Sequence, residues 1–290
     1  MYAITGVTGN TGAVVADTLL AAGKPVRVIV RDAARAEPWR VRGAEVAVAA
    51  LEDTAALTAA FRGAVGAYVL LPPRHASSDP VGDNRAVATS IAAAARAAKL
   101  PHAVLLSSVG AQHADGTGPI KTLHHAEHAL AQVTALTAVR AAYFLENWGA
   151  ALGALPQGVL PTFVPRSFVF PMVATRDIGR TAAGALLEGA PAGTRRVIEL
   201  AGPRDASAED VAAVLATLTG KPVSATDAPL DAAVPTFTSF GLSAAVAELY
   251  REMYAGIIAG KVAWEGARPL VRGTTTIDEV LAGLLARSAS

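Results

Sequence analysis

Thr5–Gly12, the run T-G-V-T-G-N-T-G, constrains this chain more than any other stretch. Its glycines, Gly6, Gly9 and Gly12, follow a G-x-x-G-x-x-G spacing. Ahead of them lies a short apolar strand, Met1–Ile4, and behind them Ala13–Ala22 has the pattern of a helix. A strand that turns sharply into a helix needs glycine for separate reasons. One glycine makes the tight turn, one lets a pyrophosphate approach the main chain, and one lets the helix pack closely on the sheet. The free N–H groups at the helix start and the positive end of its dipole then receive the anion. The expectation is a bound dinucleotide; a Gly-rich turn without a ligand is the plainer alternative.

Downstream, β-like runs alternate with helical ones, which predicts a parallel, doubly wound α/β sheet. Pro25–Val30, Gly43–Val48, Ala67–Leu71, His102–Ser107 and Thr137–Ala141 are the expected strands after the first. Leu51–Phe61, a long helix carrying Val87, Ile91, Ala94 or Ala95 and Ala98, and Ile120–Val133 are the helices between them. Past Gly149 the rhythm changes, and Ala150–Pro171 is expected as loop with short strands. Helices are predicted at Thr175–Leu187, Ser207–Leu218, Ser243–Ile258 and Ile277–Ala286, with a strand at Arg196–Ala201. Ser207 and Asp210 form a capping-box-like start, and Gly220 with Pro222 a stop. The expected division is a dinucleotide domain over 1–149, rejoined by 172–202, and a smaller C-terminal lobe over 150–171 and 203–290 that caps the substrate.

With 290 residues, 52% of them apolar, there is ample material for a core. A net charge of +1 points to neither a nucleic-acid nor a membrane-surface partner. The absence of Cys rules out disulfides, thiolate metal sites and Cys nucleophiles. The chain enters its first strand at once and holds no apolar run of roughly 18 residues, so a cytoplasmic protein without signal or span is expected.

Arg31 and Asp32 follow the second strand, where an acid usually takes the NAD ribose and an arginine the extra phosphate of NADP. A guanidinium suits bidentate phosphate contact, so NADP is the expected cofactor. The other reading is a surface pair between Arg31 and Asp32.

Several stretches together resemble one family. These are T-G-V-T-G-N-T-G, L-L-P-P at Leu70–Pro73, S-S-V-G at Ser107–Gly110, R-A-A-Y-F-L-E-N at Arg140–Asn147, R-D-I-G at Arg176–Gly179 and I-E-L-A-G-P at Ile198–Pro203. Over nearly its whole length the chain is similar to NmrA-like atypical short-chain dehydrogenase/reductases, nearest their NAD(P)H:quinone oxidoreductase and azo- or triphenylmethane-dye reductase branch. The resemblance implies a Rossmann sheet with Gly6, Thr8, Gly9, Asn10, Thr11 and Gly12 on the pyrophosphate and Arg31 on the adenosine phosphate. It places Leu71, Pro72 and Ser107 or Ser108 beside the nicotinamide ribose. Tyr143, Phe144 and Asn147 fall on the substrate wall, and Trp148 is the tryptophan expected to face substrate. The acid such families carry after strand three would fall near Ala50, so an adenine contact is missing.

Ordinary short-chain reductases donate a proton from a Tyr four residues before a Lys. The matching helix here reads P-I-K-T-L-H-H-A-E-H-A-L, with Leu123 and Glu127 in those places. Hydride addition to a ketone makes a strongly basic alkoxide that needs a positioned acid. Addition to a quinone makes a phenolate, with a pKa of about 10 if Tyr is the guide, which solvent protonates.

On the same helix Leu123, Ala126, Leu130 and Val133 form the buried stripe, and Lys121, His124, His125 and His128 the opposite face. A solvated face is one reading; another has Lys121, His124 or His125 at the active-site mouth, polarising a substrate oxygen. His124, Glu127 and His128 also match H-x-x-E-H, but without a third ligand no metal is expected. His75, His102 and His113 are expected on loops or the surface, Ser107-Ser108 lacks a nucleophile elbow, and Glu146 and Asp177 are expected to be structural.

The expected function is NADPH-dependent hydride transfer to a quinone or similar flat, electron-poor acceptor. The expected partner is that small molecule, and a homodimer is the protein assembly the chain is open to. Two alternatives stand beside it: a redox sensor that binds NAD(P) without turnover, and a reductase of a biosynthetic imine, enone or keto intermediate with a His in place of the Tyr.

Overall fold

A computed structural model describes residues 1–288. The first half of the chain lays down β1 (Tyr2–Thr5), α1 (Asn10–Ala21), β2 (Val26–Val30), α2 (Glu37–Val41), β3 (Glu45–Val48), α3 (Thr54–Phe61), β4 (Gly66–Val69), α4 (Pro80–Ala97), β5 (His102–Ser108), α5 (Lys121–Ala131) and β6 (Ala135–Ala141). The second half adds β7 (Tyr143–Phe144), β8 (Val159–Thr162), β9 (Met172–Val173), α6 (Thr175–Glu188), β10 (Arg195–Ala201), α7 (Ala208–Thr219), β11 (Ser224–Asp227), α8 (Ala233–Ser239), α9 (Ala244–Ile258), β12 (Val271–Arg272) and α10 (Ile277–Ser288).

Eight strands form one parallel sheet in the order β3-β2-β1-β4-β5-β6-β10-β12. The chain therefore starts in the middle, winds outward to β3, and crosses back to β4. Connections leave β1 and β4 in opposite directions, which opens a crevice at their carboxyl ends. Both faces of the sheet are covered, so the strands read as apolar runs rather than as alternation. On one face Ile4, Val28 and Val104 pack with Val15 and Leu19 of α1 and Ile178 of α6. On the other, Ala67 and Leu105 pack with Phe61, Val87, Ile91 and Leu130 from α3, α4 and α5.

The glycine of R-D-I-G belongs to this packing. A Cβ on Gly179 would stand 2.5 Å from the Val14 Cβ and 2.9 Å from the Thr11 carbonyl, so only glycine lets α6 lie directly on α1. Glu146 and Asp177 are structural, as expected. Glu146 accepts from the Thr175 N–H (3.0 Å) and hydroxyl (2.6 Å), which caps α6. Asp177 accepts from the Thr275 N–H (2.8 Å) and hydroxyl (2.9 Å), tying α6 to the segment before α10.

A third apolar cluster sits beyond the carboxyl ends of the strands. Leu145, Trp148, Leu160, Phe170, Val211, Leu215, Ile257 and Leu281 are buried in it. Here β8 pairs with β11 and β7 with β9. The capping box at Ser207 is present, with its hydroxyl accepting from the Asp210 N–H and Asp210 accepting in return from the Ser207 N–H. Two features differ from expectation. Leu145–Gln157 is wound into tight helical turns rather than open loop, with Pro156 inside and Gly158 at φ +72° ending it. The C-terminal segment also returns to the main sheet, because β12 pairs with β10.

Candidate active site

Gly6 follows β1 at φ +68°, a conformation that favours glycine, and a Cβ there would lie 2.6 Å from Leu70 Cδ2. A Cβ on Gly12 would meet the Gly6 carbonyl oxygen at 2.4 Å. Gly12 therefore does not touch the crevice; it lets the first turn of α1 rest on the loop. Gly9 is the opposite case, with one neighbour, the Gly6 oxygen at 3.4 Å, and open space otherwise. It precedes α1 in extended conformation, no side chain caps the helix, and no acid stands in the first turn. The helix start thus presents unpaired N–H groups and positive potential to the crevice. The turn is anchored to the next strand over: Thr5 Oγ1 donates to the Tyr68 carbonyl (3.1 Å), and the buried Tyr68 phenol donates to Thr11 Oγ1 (2.9 Å).

A cavity of about 850 Å³ runs from this loop across the sheet edge to the underside of α9. Gly6, Thr8, Gly9, Asn10 and Thr11 line one end, Leu71, Pro72, Ser107 and Ser108 the middle, and Tyr143, Phe144 and Asn147 the far wall. Phe168, Phe170, Tyr250, Met253 and Trp264 close over it from the later part of the chain. Asn84 of α4 also lines it, and its Oδ1 is buried with no hydrogen-bond partner among the described residues.

Arg31 projects into solvent just past β2, outside the cavity lining. It makes no ion pair or hydrogen bond with the described residues, so the surface pair with Asp32 does not form. Asp32 instead accepts from the Ala34 N–H (2.9 Å) and caps the turn after β2. The nearby Glu52 is gripped by Arg74, a cavity residue. That hydrogen bond is the main cause holding the Glu52 carboxyl below its usual range, burial opposes it, and the charge of Arg31 adds a smaller pull.

None of Lys121, His124 and His125 lines the cavity. Lys121 Nζ is paired with Glu252 of α9 at 2.8 Å, and His124 Nδ1 stands 3.0 Å from the Ala111 carbonyl oxygen. His125 turns the other way, where burial and then the charge of Arg85 depress its imidazole pKa. The helical period explains the outcome, because α5 turns Thr122 and Leu123 to the crevice and carries its basic residues past it. The H-x-x-E-H side chains do not converge either: His128 bonds the His124 carbonyl (2.8 Å) while Glu127 points inward. Among the described residues no group of three His, Asp or Glu is placed to hold a metal ion. Two further expectations change. His102 is no surface residue, being buried at the start of β5 with Nε2 3.0 Å from Thr137 Oγ1. Trp148 lies behind the wall, where its indole N–H donates to Met172 Sδ (3.4 Å) and its ring props Tyr143 edge-on at 6.3 Å.

Glu127 is fully buried in an ion cluster at the floor of the site. Its Oε1 accepts from Ser107 Oγ (2.5 Å) and Arg140 Nε (2.9 Å), and its Oε2 from Arg140 Nη2 (2.8 Å) and from Arg195. Desolvation works against the Arg140 charge, but its hydrogen bonds to Glu127 and the surrounding carboxylates outweigh it and hold the pKa above the ordinary arginine value.

The far end is a different environment. Tyr143 and Tyr254 face each other hydroxyl to hydroxyl at 3.3 Å, and Phe170 meets Tyr143 edge-on at 5.5 Å. Burial, reinforced by Tyr254, raises the Tyr143 phenol well above its usual value. Asn84, Phe168, Phe170, Tyr250, Met253 and Trp264 were not anticipated. The apolar stripe of α9 was visible in its spacing, but a stripe that lines a cavity has the same period as one that fills a core.

Comparison with known proteins agrees with this architecture. Residues 2–256 match the model of the NmrA-like family. An NAD(P)H azoreductase from Xenophilus azovorans is 26% identical over 262 residues, covering 88% of this chain and 86% of the relative. The Escherichia coli NADPH-dependent quinone oxidoreductase, solved with NADPH, superposes with a TM-score of 0.82 at 26% identity, over 98% of this chain and all of that one (100%). Citrobacter sp. triphenylmethane reductase, solved with NADP(H), shares the fold at 19% identity and a TM-score of 0.80, over 98% and 100% of the two chains.

Proposed function

The chain belongs to the NmrA-like family, and we propose that it is an NADPH-dependent reductase of quinones or similarly flat, electron-poor acceptors such as azo dyes. One observation carries this reading: a single cavity joins an uncapped helix start behind a glycine turn to an aromatic chamber, with Leu123 rather than an acid where α5 meets it.

The dinucleotide, when bound, supplies a hydride. The residues present fit it. The open N–H groups of Asn10 and Thr11 take the pyrophosphate, and the unpartnered Arg31 takes the 2′-phosphate. Leu71, Pro72 and Ser107 border the nicotinamide half. Tyr143, Phe144, Phe168, Phe170, Tyr250 and Trp264 offer rings to a planar acceptor, and together with Met253 they exclude water from it. Close stacking of donor and acceptor is itself a large part of catalysis. A quinone keeps the electron pair as a phenolate, and its second proton comes from solvent. A reductase using a histidine acid on α5 would need His124 or His125 in the cavity, where neither stands.

The test is NADPH consumption, followed at 340 nm with purified protein and a panel of quinones and azo dyes. Acceptor-dependent oxidation well above background is expected. Tight NADPH binding without oxidation by any acceptor would make the chain a nucleotide sensor instead.

A further inference from the structure

Ser107 has one proton to give, and it gives it to Glu127 at 2.5 Å. Its hydroxyl can therefore offer the cavity only lone pairs. Glu127 is itself saturated: two oxygens accept four hydrogen bonds, three of them from Arg140 and Arg195, so the carboxylate has no freedom to rotate or to release Ser107. Arg140 is fixed in turn through Nη1, which donates to Glu265 (3.2 Å) and Gln112 (3.4 Å). Burying a carboxylate and a guanidinium this deeply is costly unless every polar atom is met, and a fully met cluster is rigid. Asn84 lines the same cavity; it is 8% exposed and its buried Oδ1 has no hydrogen-bond partner among the described residues.

We propose that Glu127 is a positioning residue: by committing the Ser107 proton it makes that hydroxyl an obligatory acceptor, which selects an O–H or N–H donor on the nicotinamide-riboside half of the dinucleotide. The inference rests on the dinucleotide reading above and adds a role for a buried charge cluster that touches neither hydride nor acceptor. A cluster serving only to join α5 to β6 and β10 would have no reason to include a cavity hydroxyl.

The test is direct binding, by fluorescence titration of NADPH and by calorimetric titration of adenosine 2′,5′-bisphosphate, which lacks the nicotinamide riboside. Ser107→Ala should weaken NADPH binding about tenfold, the worth of one good hydrogen bond, and leave the bisphosphate within about twofold. Glu127→Gln should do the same, and the double variant should be no weaker than the worse single one, since both act through one contact. Equal loss of both ligands in Glu127→Gln, multiplying effects in the double variant, or unaltered NADPH binding by Ser107→Ala would each overturn the proposal. If Glu127→Gln does not fold, Glu127→Asp takes its place, since it keeps a carboxylate for the arginines but draws it back from Ser107; unaltered NADPH binding in that variant overturns the proposal. The reduced 3-acetylpyridine analogue of NADPH, which lacks the amide N–H, identifies the donor. Weaker binding of the analogue that disappears in Ser107→Ala assigns the amide, and equal binding assigns a ribose hydroxyl. A wild-type chain that binds the bisphosphate and NADPH equally overturns the Ser107 contact, whereas one that binds neither overturns the cofactor reading itself.

Discussion

The two ends of the cavity are built by different means. At the glycine end the wall is main chain: a left-handed Gly6, an extended Gly9 and an uncapped helix, all within eight residues of sequence. At the aromatic end it is side chain, gathered from β7, the Phe168–Phe170 segment, α9 and the loop holding Trp264. The backbone turn leaves little room for substitution, because Gly6 is left-handed and a Cβ on Gly12 behind it would collide with the Gly6 and Thr5 carbonyl oxygens. Side-chain architecture tolerates exchange of one ring for another. The dinucleotide end should therefore be brittle and the acceptor end tunable.

The largest effect that could break this contrast is at Gly12. Gly12→Ala places a Cβ 2.4 Å from the Gly6 oxygen. It should cost about 2 kcal/mol of stability in urea unfolding and reduce NADPH binding beyond detection. A stable variant with normal affinity would show that the turn is softer than its geometry implies. Next is Arg31→Ala, which should weaken NADPH about 10- to 30-fold by removing a charge-assisted contact while leaving NADH unchanged. An unchanged preference would mean that another group reads the 2′-phosphate.

At the other end, Tyr250→Ala should raise the KM for a quinone about fivefold, the scale of one aromatic contact, with NADPH affinity intact. A matching loss of NADPH affinity would show that the two ends are not separable. Smallest of all, His124→Ala and His125→Ala should change turnover less than about twofold, since neither side chain reaches the cavity. A tenfold fall in either would restore a histidine to the chemistry.

The same contrast explains what was legible beforehand. The glycine turn, the doubly wound parallel sheet and the capping box at Ser207 are local or follow from a simple alternation, so neighbouring residues report them. Gly12 was assigned to the pyrophosphate because the spacing of a motif does not say which glycine faces the ligand and which faces the helix. Glu127 was placed as the residue standing for an absent lysine, but its burial was not seen. A buried acid looks like a surface one until its partners Arg140 and Arg195 arrive from other strands. His102 was misplaced for a related reason, since a strand buried on both faces has no alternation to mark it. Tyr250 and Trp264 line the cavity beside residues such as Ser108 and Tyr143, more than 100 positions earlier, and no local pattern carries that.

The account stands or falls on an acceptor reduced without a protein acid. Steady-state NADPH oxidation should therefore be compared between a quinone and an unactivated aromatic ketone of similar outline, from pH 6 to pH 9. The Tyr143 phenol, raised well above its usual value by burial, stays protonated throughout that range, and no histidine lines the chamber except His75 at its rim. The prediction is quinone turnover with no ionisation in the histidine range and no measurable ketone reduction. Ketone reduction at a comparable rate, or a profile governed by one group titrating near pH 6.5, would contradict it.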